Sequence, residues 1–421
     1  MAKNVSLLGS TSRLESPTIK VTFGDKQNGY TFGVFQASMS REKDGKGYYK
    51  TLRVIYPNYV QSLEVQKING QVNQYTLQLI YPITQTDDPN FFEKVFSSVS
   101  KTRKITFTYG DASLPTFIYK DEEAIITDVK SNFNISQSTI SYTVSAVSSA
   151  ALATSGTYTF INMKPKKPSD EIKRILYNST YGLTSIFYGM TNRSLVEQEQ
   201  LIASDDKVVQ LESRSNVSVL EYLSYLVSCM VPSGSSNNVK QNSIYILSFV
   251  DDTTGVFGGP YFKVTKSTTN VNDDGAYEID IGFPTANIVT EFRIDNNENY
   301  SILYDWQNSL DDSRYVRRLN NDGKWEDVYA PNISSKNEEY KTRASDMVYW
   351  TKITEYPISA SITIKGLLRP AILMTKVRLN VYFFGKKHIS SGLYIVTKQV
   401  DRIDMNGYRT TLNLTRIRGD E

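Results

Sequence analysis

The sequence predicts a mainly β protein in which two β-barrel domains related by internal duplication flank a small α+β insert. The first observation behind this is residues 388–419, which spell out a hairpin. Residues 393–400 and 408–417 are rich in β-branched and aromatic side chains, and Asn406-Gly407 between them is a pair that accepts positive φ, as a type I′ turn requires. The second is residues 124–148, which repeat that order of parts: a strand beginning Ile125-Ile126-Thr127 where the other has Ile395-Val396-Thr397, a polar turn, then an alternating strand. The third is composition. Tyr, at 29 residues against 18 Phe, favours strands and contact surfaces that are apolar on one side and hydrogen-bonding at the tip.

Taken in chain order, residues 1–17 form an N-terminal arm and residues 18–163 the first β-barrel domain. Ile19, Val21 and Phe23 alternate with polar neighbours, as do Leu52, Val54 and Tyr56, and then Tyr75, Leu77, Leu79 and Tyr81. Asn69-Gly70 predicts a second type I′ turn. One helix interrupts the strands, with Asp88 as its cap, Pro89 in its first turn, and Phe92, Val95, Phe96 and Val99 on one side.

Two prolines and three lysines at residues 164–168 cannot continue a central strand, so they open the α+β insert, residues 164–260. Its helices are read at residues 169–177, presenting Ile172, Ile175 and Leu176, and after Ser218, where Glu221 stands at the capping-box position. Residues 194–211 fit neither helix nor strand clearly. The second β-barrel domain, residues 261–421, contains a long polar excursion at 308–346. Within it, Val377, Leu379, Val381 and Phe383 face one way and Lys376, Arg378 and Asn380 the other.

Composition narrows function. A hydrophobic fraction of 40% with 22% charged residues is that of a globular protein, and a formal charge of +3 over 421 residues implies no steering toward nucleic acid or anionic lipid. The N-terminal residues lack the apolar core of a signal peptide, and nowhere do about 18 apolar residues run together, so a soluble, cytoplasmically made protein without a membrane partner is expected. Cys229 alone excludes an intrachain disulfide and a cysteine-rich zinc site; it is expected to pack as a small apolar residue.

Candidate chemistry is thin. His388 is the only histidine, which removes His-pair metal sites and leaves a Ser/His/Asp triad one residue to use; in Gly385-Lys386-Lys387-His388 it reads as part of a turn. Acid pairs recur at Asp87-Asp88, Asp205-Asp206, Asp251-Asp252, Asp273-Asp274 and Asp311-Asp312. Two carboxylates could cleave a glycoside, but most of these pairs stand at turn or helix-start signals, where Asp bonds backbone. Residues 270–275 begin like a calcium loop, yet Ile281 stands where the closing Glu belongs. Residues 255–260 lack the Lys-Ser/Thr of a phosphate loop. The basic groups 164–167, 317–318 and 386–387 read as solvated turns, and Tyr48-Tyr49 and 382–384 as partly core aromatics. No catalytic residue, metal ligand or cofactor site is assigned.

The C-terminal run resembles the closing signature of the tail hub (baseplate hub) proteins of bacteriophages and contractile injection machines, in which a Ser-Gly-x-Tyr-x-Val strand precedes a Gly-Tyr-x-Thr-x-Leu-x-Leu-x-Arg strand. Ser391, Gly392, Tyr394, Val396, Gly407, Tyr408, Thr410, Leu412, Leu414 and Arg416 match it, and Ser218, Glu221, Tyr222, Leu223 and Tyr245 fit a helix and strand in the middle of such hubs. The match is strong over about the last third and follows element order elsewhere. The resemblance implies a structural, non-enzymatic virion protein without cofactors, located in the tail and assembled in the host cytoplasm. It implies two tube-like barrels per chain and a homotrimeric ring, pseudo-sixfold, that joins a six-fold tail tube protein to a three-fold tail tip, spike or fibre and touches other baseplate proteins. It allows the genome to pass through the lumen and implies no sequence-specific nucleic-acid contacts. The alternatives are a carbohydrate- or receptor-binding tail protein using Trp325, Trp350 and exposed Tyr, and a cell-wall glycoside hydrolase using converging acid pairs.

Overall fold

The computed structural model describes residues 5–6, 17–25, 29–34, 42–43, 49–50, 57–68, 71–100, 102–111, 118–177, 194–230, 243–250, 261–268, 276–282, 289–296, 315–319, 325–329, 358–365, 373 and 375–419. The chain opens with β1 (Val5–Ser6), which pairs in parallel with residues 277–278 of the second β unit, and the first β unit follows as β2 (Pro17–Phe23), β3 (Tyr30–Val34), β6 (Val60–Ile68), β7 (Gln74–Pro82), helix α1 (Phe91–Val99), β8 (Lys104–Asp111), β9 (Ile118–Asn134) and β10 (Thr139–Ser148), with β4 (Glu42–Lys43) and β5 (Tyr49–Lys50) paired with each other in a separate sheet between β3 and β6. A 3-10 turn (Ser149–Thr154), β11 (Tyr158–Phe160), α2 (Pro168–Tyr177), α3 (Leu195–Leu201), β12 (Arg214–Val217), α4 (Val219–Ser228), β13 (Ser243–Val250) and β14 (Tyr261–Thr268) follow. The chain then forms β15 (Tyr277–Ile281), β16 (Val289–Asn296), β17 (Tyr315–Leu319), β18 (Trp325–Tyr329), β19 (Ile358–Lys365), β20 (Lys376–Phe383), β21 (Lys386–Lys387), β22 (Gly392–Asp404) and β23 (Gly407–Gly419). The fold is mainly β, and among the described residues fifteen strands belong to one sheet.

Alternation decides which residues that sheet buries. Leu63, Val65, Leu77, Leu79, Phe107, Tyr142 and Val144 point into the first core, and Phe92 and Val95 of α1 close over it. Ile279, Ile362, Ile364, Val377, Leu379, Tyr394, Leu412 and Leu414 build the second core by the same rule. Helix α1 starts later than the sequence predicts. Asn90 is its N-cap position, and Asp88 instead accepts the Asn90 N–H at 2.9 Å and pairs with Lys94, leaving Pro89 outside the first turn.

The two β units share pairing order and register. In the first, β6, β7, β10, β9 and β8 are successive neighbours; in the second, β16, β19, β23, β22 and β20 are, with every pair antiparallel. Leu63 lies opposite Leu77, and Leu77 opposite Val144; correspondingly Phe292 lies opposite Ile362, and Ile362 opposite Leu412. The β6–β7 ladder slips between Val60 and Ser62, and the β16–β19 ladder between Val289 and Glu291, at the corresponding residue. Both long hairpins bulge at a threonine. Thr127 and Thr397 are the unpaired extra residues, and their hydroxyls donate across the bulge to the carbonyls of Ser145 at 3.1 Å and Asn413 at 3.2 Å. Just before each bulge one backbone bond ends the ladder to the inner neighbour, from Ile126 N–H to Arg103 O at 2.7 Å and from Val396 N–H to Thr375 O at 3.2 Å. The units part company further in, where β2 meets β8 antiparallel but β15 meets β20 parallel.

The helical unit has its own core, and it reaches beyond residues 164–260. Ala150, Ala153 and Phe160 pack in it on one side and Tyr261, Phe262 and Val264 on the other, because β14 pairs along its whole length with β13 and not with the second β unit. Ser218 and Glu221 form the capping box read from the sequence, and Ser194 with Glu197 forms another, which makes a helix of part of the ambiguous stretch. Cys229 is buried in this core. The polar excursion is not all loop: β17 and β18 pair as a hairpin within it. Asn69-Gly70, Tyr48, Leu52 to Tyr56, Trp350, residues 251–260, residues 270–275 and Asp311-Asp312 lie outside the described residues.

The C-terminal turn also differs from expectation. Asp404 pairs with Gly407, so the turn residues are Met405 and Asn406, and of these positions only Gly407 has positive φ, at 116°. The Asp404 carboxylate accepts the Asn406 N–H at 2.8 Å, which fixes the turn by a side-chain bond and moves the left-handed requirement one residue on, to glycine.

Candidate functional site

Strand β22 is thirteen residues long, and two different strands use its inner edge. Lys376 to Leu379 of β20 pair with Ile395 to Gly392; beyond the Thr397 bulge, Ile68 to Ser62 of β6 pair with Lys398 to Asp404. The closing hairpin is therefore shared. Tyr394, Val396, Leu412 and Leu414 belong to the second core, while Ile403 and Tyr408 belong to the first. This is where the structure departs from a hairpin that completes only the second barrel, and the bulge is the cause: it shifts the alternation and bends the strand out of its own unit.

At the seam lies a buried polar cluster. Lys67 and Glu122 form an ion pair at 2.5 Å, with both side chains at least 95% removed from solvent. Tyr75 and Tyr109 donate to the two Glu122 oxygens at 2.9 Å each. From the hairpin, Asp401 accepts from Thr410 at 2.6 Å and from Gln399 at 3.1 Å, and the Tyr408 ring meets that of Tyr109 edge-on at 5.9 Å. Such a cluster is stable only while each charge keeps its partners, so it demands one register of β22 on β6. Sequence reading missed Lys67, Glu122 and Asp401. Their signal is parity: Lys67 falls on the same face as Leu63 and Val65, Asp401 with Ile403, and Glu122 with Ala124 and Ile126, polar residues on faces that should be apolar.

Burial, with Glu122 and Asp401 next in effect, holds the Tyr109 phenol well above its ordinary range, and burial with Asp401 and Glu122 does the same for Tyr408. A raised folded-state value means that the stability contribution is complete below the unfolded tyrosine value of about 10 and is lost as pH rises beyond it. The melting temperature is therefore expected to fall steeply from about pH 10 upward, and Tyr109→Phe with Tyr408→Phe to flatten that fall. Differential scanning calorimetry across alkaline buffers reads this; equal slopes would remove the two phenols as its cause.

The hub-signature residues are framework. Ser391 donates to Val381 O at 3.1 Å and accepts its N–H at 3.0 Å, and the Tyr394 hydroxyl donates to Ser390 O at 2.6 Å, so the pair anchors the start of β22 on the end of β20. Gly392 lies opposite Leu379, and Arg416 is buried opposite Tyr394. His388 is half-buried, with Nδ1 2.7 Å from the Ser390 hydroxyl and its ring against Phe383. The described acid pairs serve local structure. Asp206 accepts the N–H and hydroxyl of Ser169 at the head of α2, Asp205 binds Lys266 and Tyr245, and Asp87 accepts from Thr84. Lys166 pairs with Glu171.

No protein-family model and no curated protein matches this chain. Solved structures do resemble it. The 43 kDa tail protein of prophage MuSo2 from Shewanella oneidensis is 12% identical, with 96% of this chain and 97% of that one covered and a TM-score of 0.48. A tail protein from Neisseria meningitidis MC58 is 9% identical, with 96% and 97% covered and a TM-score of 0.47. The E. coli c3393 protein, a type VI secretion component described as structurally similar to the T4 bacteriophage tail proteins gp27 and gp5, is 10% identical over 85% of this chain and 74% of that one, with a TM-score of 0.45. Over most of its length, then, this chain is similar to bacterial tail proteins, one of them from a prophage, and to a type VI secretion component.

Proposed function

We propose that the chain is a structural tail or baseplate hub that assembles as a homotrimeric ring with pseudo-sixfold symmetry. The observation that carries this is the repeated register of the two β units, down to the paired slips at Val60 and Val289 and the paired threonine bulges at Thr127 and Thr397. Two units so alike support an origin by duplication, and three chains would present six similar surfaces to a six-fold tube while keeping true three-fold symmetry toward a tip or spike. The hub signature in the last strands points the same way, because its residues are those that anchor β22 and fill both cores. On this reading the tail tube, the tip, spike or fibre and other baseplate proteins are the partners, the virion tail is the location, and no catalysis or cofactor is involved.

The test is the mass and symmetry of the purified protein. Multi-angle light scattering is expected to give three chains of 47.7 kDa, and class averages a ring with six lobes. Saturable binding on a glycan array or clearing of cell walls in zymograms would favour the two alternatives and count against the hub.

A further inference from the structure

One turn of the second β unit carries side chains that the fold does not account for. Strand β20 reverses into β21 through Phe384 and Gly385, with Phe383 opposite Lys386 and Tyr382 opposite Lys387. Both turn residues are left-handed, at φ of 51° and 77°. Glycine adopts that conformation freely and asparagine at low cost, whereas it strains a bulky aromatic. Phe384 is nonetheless fully solvated, at 106% exposure, so packing within the chain does not offset the strain. Phe383, both lysines and Ile389 of the adjoining turn are exposed as well, and of the aromatics at 382–384 only Tyr382 is half-buried.

This exposed tip stands on a braced base. The His388 N–H donates to Val381 O at 2.8 Å and the Ser391 N–H to His388 O at 2.9 Å, while the His388 ring stands edge-on to Phe383 at 4.9 Å between centroids. From Lys376 to Val400 the sequence has five cations, Lys376, Arg378, Lys386, Lys387 and Lys398, and no acid. The small net charge of the chain conceals this basic segment, which is why composition alone implied no steering toward anionic lipid. The two long-hairpin tips differ. Ile135 and Met405 are exposed singly, between Asn134 and Ser136 and between Asp404 and Asn406, as scattered surface apolar residues ordinarily are.

We propose that this turn is a membrane-contact device that inserts Phe384 and Phe383 into the interface of an anionic bilayer. The order of side chains along the projection matches that of a bilayer surface. The aromatic apex meets the acyl boundary, and the lysines on its shoulder reach the phosphates with their stems lying along apolar surface. A protein partner is a poorer match, because a stable interface takes about 800 Å² from each side, more than one projecting turn offers. The bracing bonds already fix the turn, so little ordering is left to oppose insertion. The proposal goes beyond the hub reading and does not depend on it, although a ring of three chains would bind more tightly by presenting three such turns to one surface.

Flotation of the full chain with vesicles tests this. Binding is expected to vesicles of phosphatidylcholine and phosphatidylglycerol in equal parts, and is expected to be lost on pure phosphatidylcholine or in high salt, which screens the lysines. Phe384→Asn is expected to abolish flotation with an equal or higher melting temperature, since asparagine suits the left-handed position; loss of binding is thereby separated from loss of fold. Lys386→Glu with Lys387→Glu is expected to weaken binding at least about tenfold. No flotation, equal flotation with both vesicle types, or flotation that survives Phe384→Asn overturns the proposal. No flotation together with weaker self-association of Phe384→Asn overturns it in favour of a protein contact at the turn. A trimer by light scattering on the same samples leaves the hub reading standing in each of these cases.

Discussion

Lys67→Met is expected to destabilise the protein by about 3–5 kcal/mol, the cost of leaving one partner of a buried ion pair alone. Glu122 would stay fully buried and lose the lysine's charge, keeping the Tyr75 and Tyr109 hydroxyl bonds. Adding Glu122→Gln to Lys67→Met removes that stranded charge and is expected to recover a large part of the loss, because an amide still accepts from one tyrosine without carrying charge into the core. Urea unfolding measures this as a drop in midpoint at constant slope, partly reversed in the double variant. If Lys67→Met cost less than about 1 kcal/mol, the range of a surface pair, the cluster would not be holding the register of the two units. The location matters as much as the size: Lys67 lies directly opposite Gln399, so the loss falls on the seam that joins the units.

Much of this architecture was legible in the sequence because alternation is local. The runs at Tyr75 to Tyr81 and at Val377, Leu379 and Val381 bury the side chains that period-two patterning assigns inward, although Phe383 at the end of that strand is 51% exposed and Asn380 is buried, and the Ser218/Glu221 box starts its helix where it should. The likeness of Ile125-Ile126-Thr127 to Ile395-Val396-Thr397 was visible as letters, and the structure places both threonines at bulges with the same hydroxyl bond. What the letters did not contain was the consequence. A bulge is one residue out of phase, and nothing local says that the strand beyond it leaves one unit for another. The same limit hid the polar cluster, since Lys67 and Glu122 are far apart in sequence and Asp401 reaches them only through that crossing. The boundary at Tyr261 was misplaced for a related reason: its strand pattern does not reveal its partner, which is β13 of the helical unit. The turn at Asp404 failed on chemistry, because an aspartate bond to Asn406 competes with the type I′ preference of Asn-Gly.

Ile403→Ala and Phe133→Ala form the second large prediction, since the two residues hold corresponding positions, opposite Tyr408 and Ile140, in the two hairpins. Ile403 is buried in the first core, so its truncation is expected to cost about 2–5 kcal/mol of stability, as for other buried aliphatic residues. Phe133 is mostly solvated in the single chain, so its truncation is expected to change monomer stability by no more than about 0.5 kcal/mol. The two substitutions should exchange roles when assembly is the readout. If the proposed ring covers the exposed Phe133 with a second copy, Phe133→Ala is expected to weaken self-association at least tenfold, read by analytical ultracentrifugation, because burying a large aromatic is worth more than the roughly 1.4 kcal/mol that a tenfold change represents. Ile403→Ala should leave the association constant of the folded fraction nearly unchanged, since its contacts are internal. Both variants failing in the same assay would mean that the first hairpin packs within its own chain as the second does. Neither affecting assembly would mean that the subunits meet through some other surface, and that the matching bulges serve the two units separately.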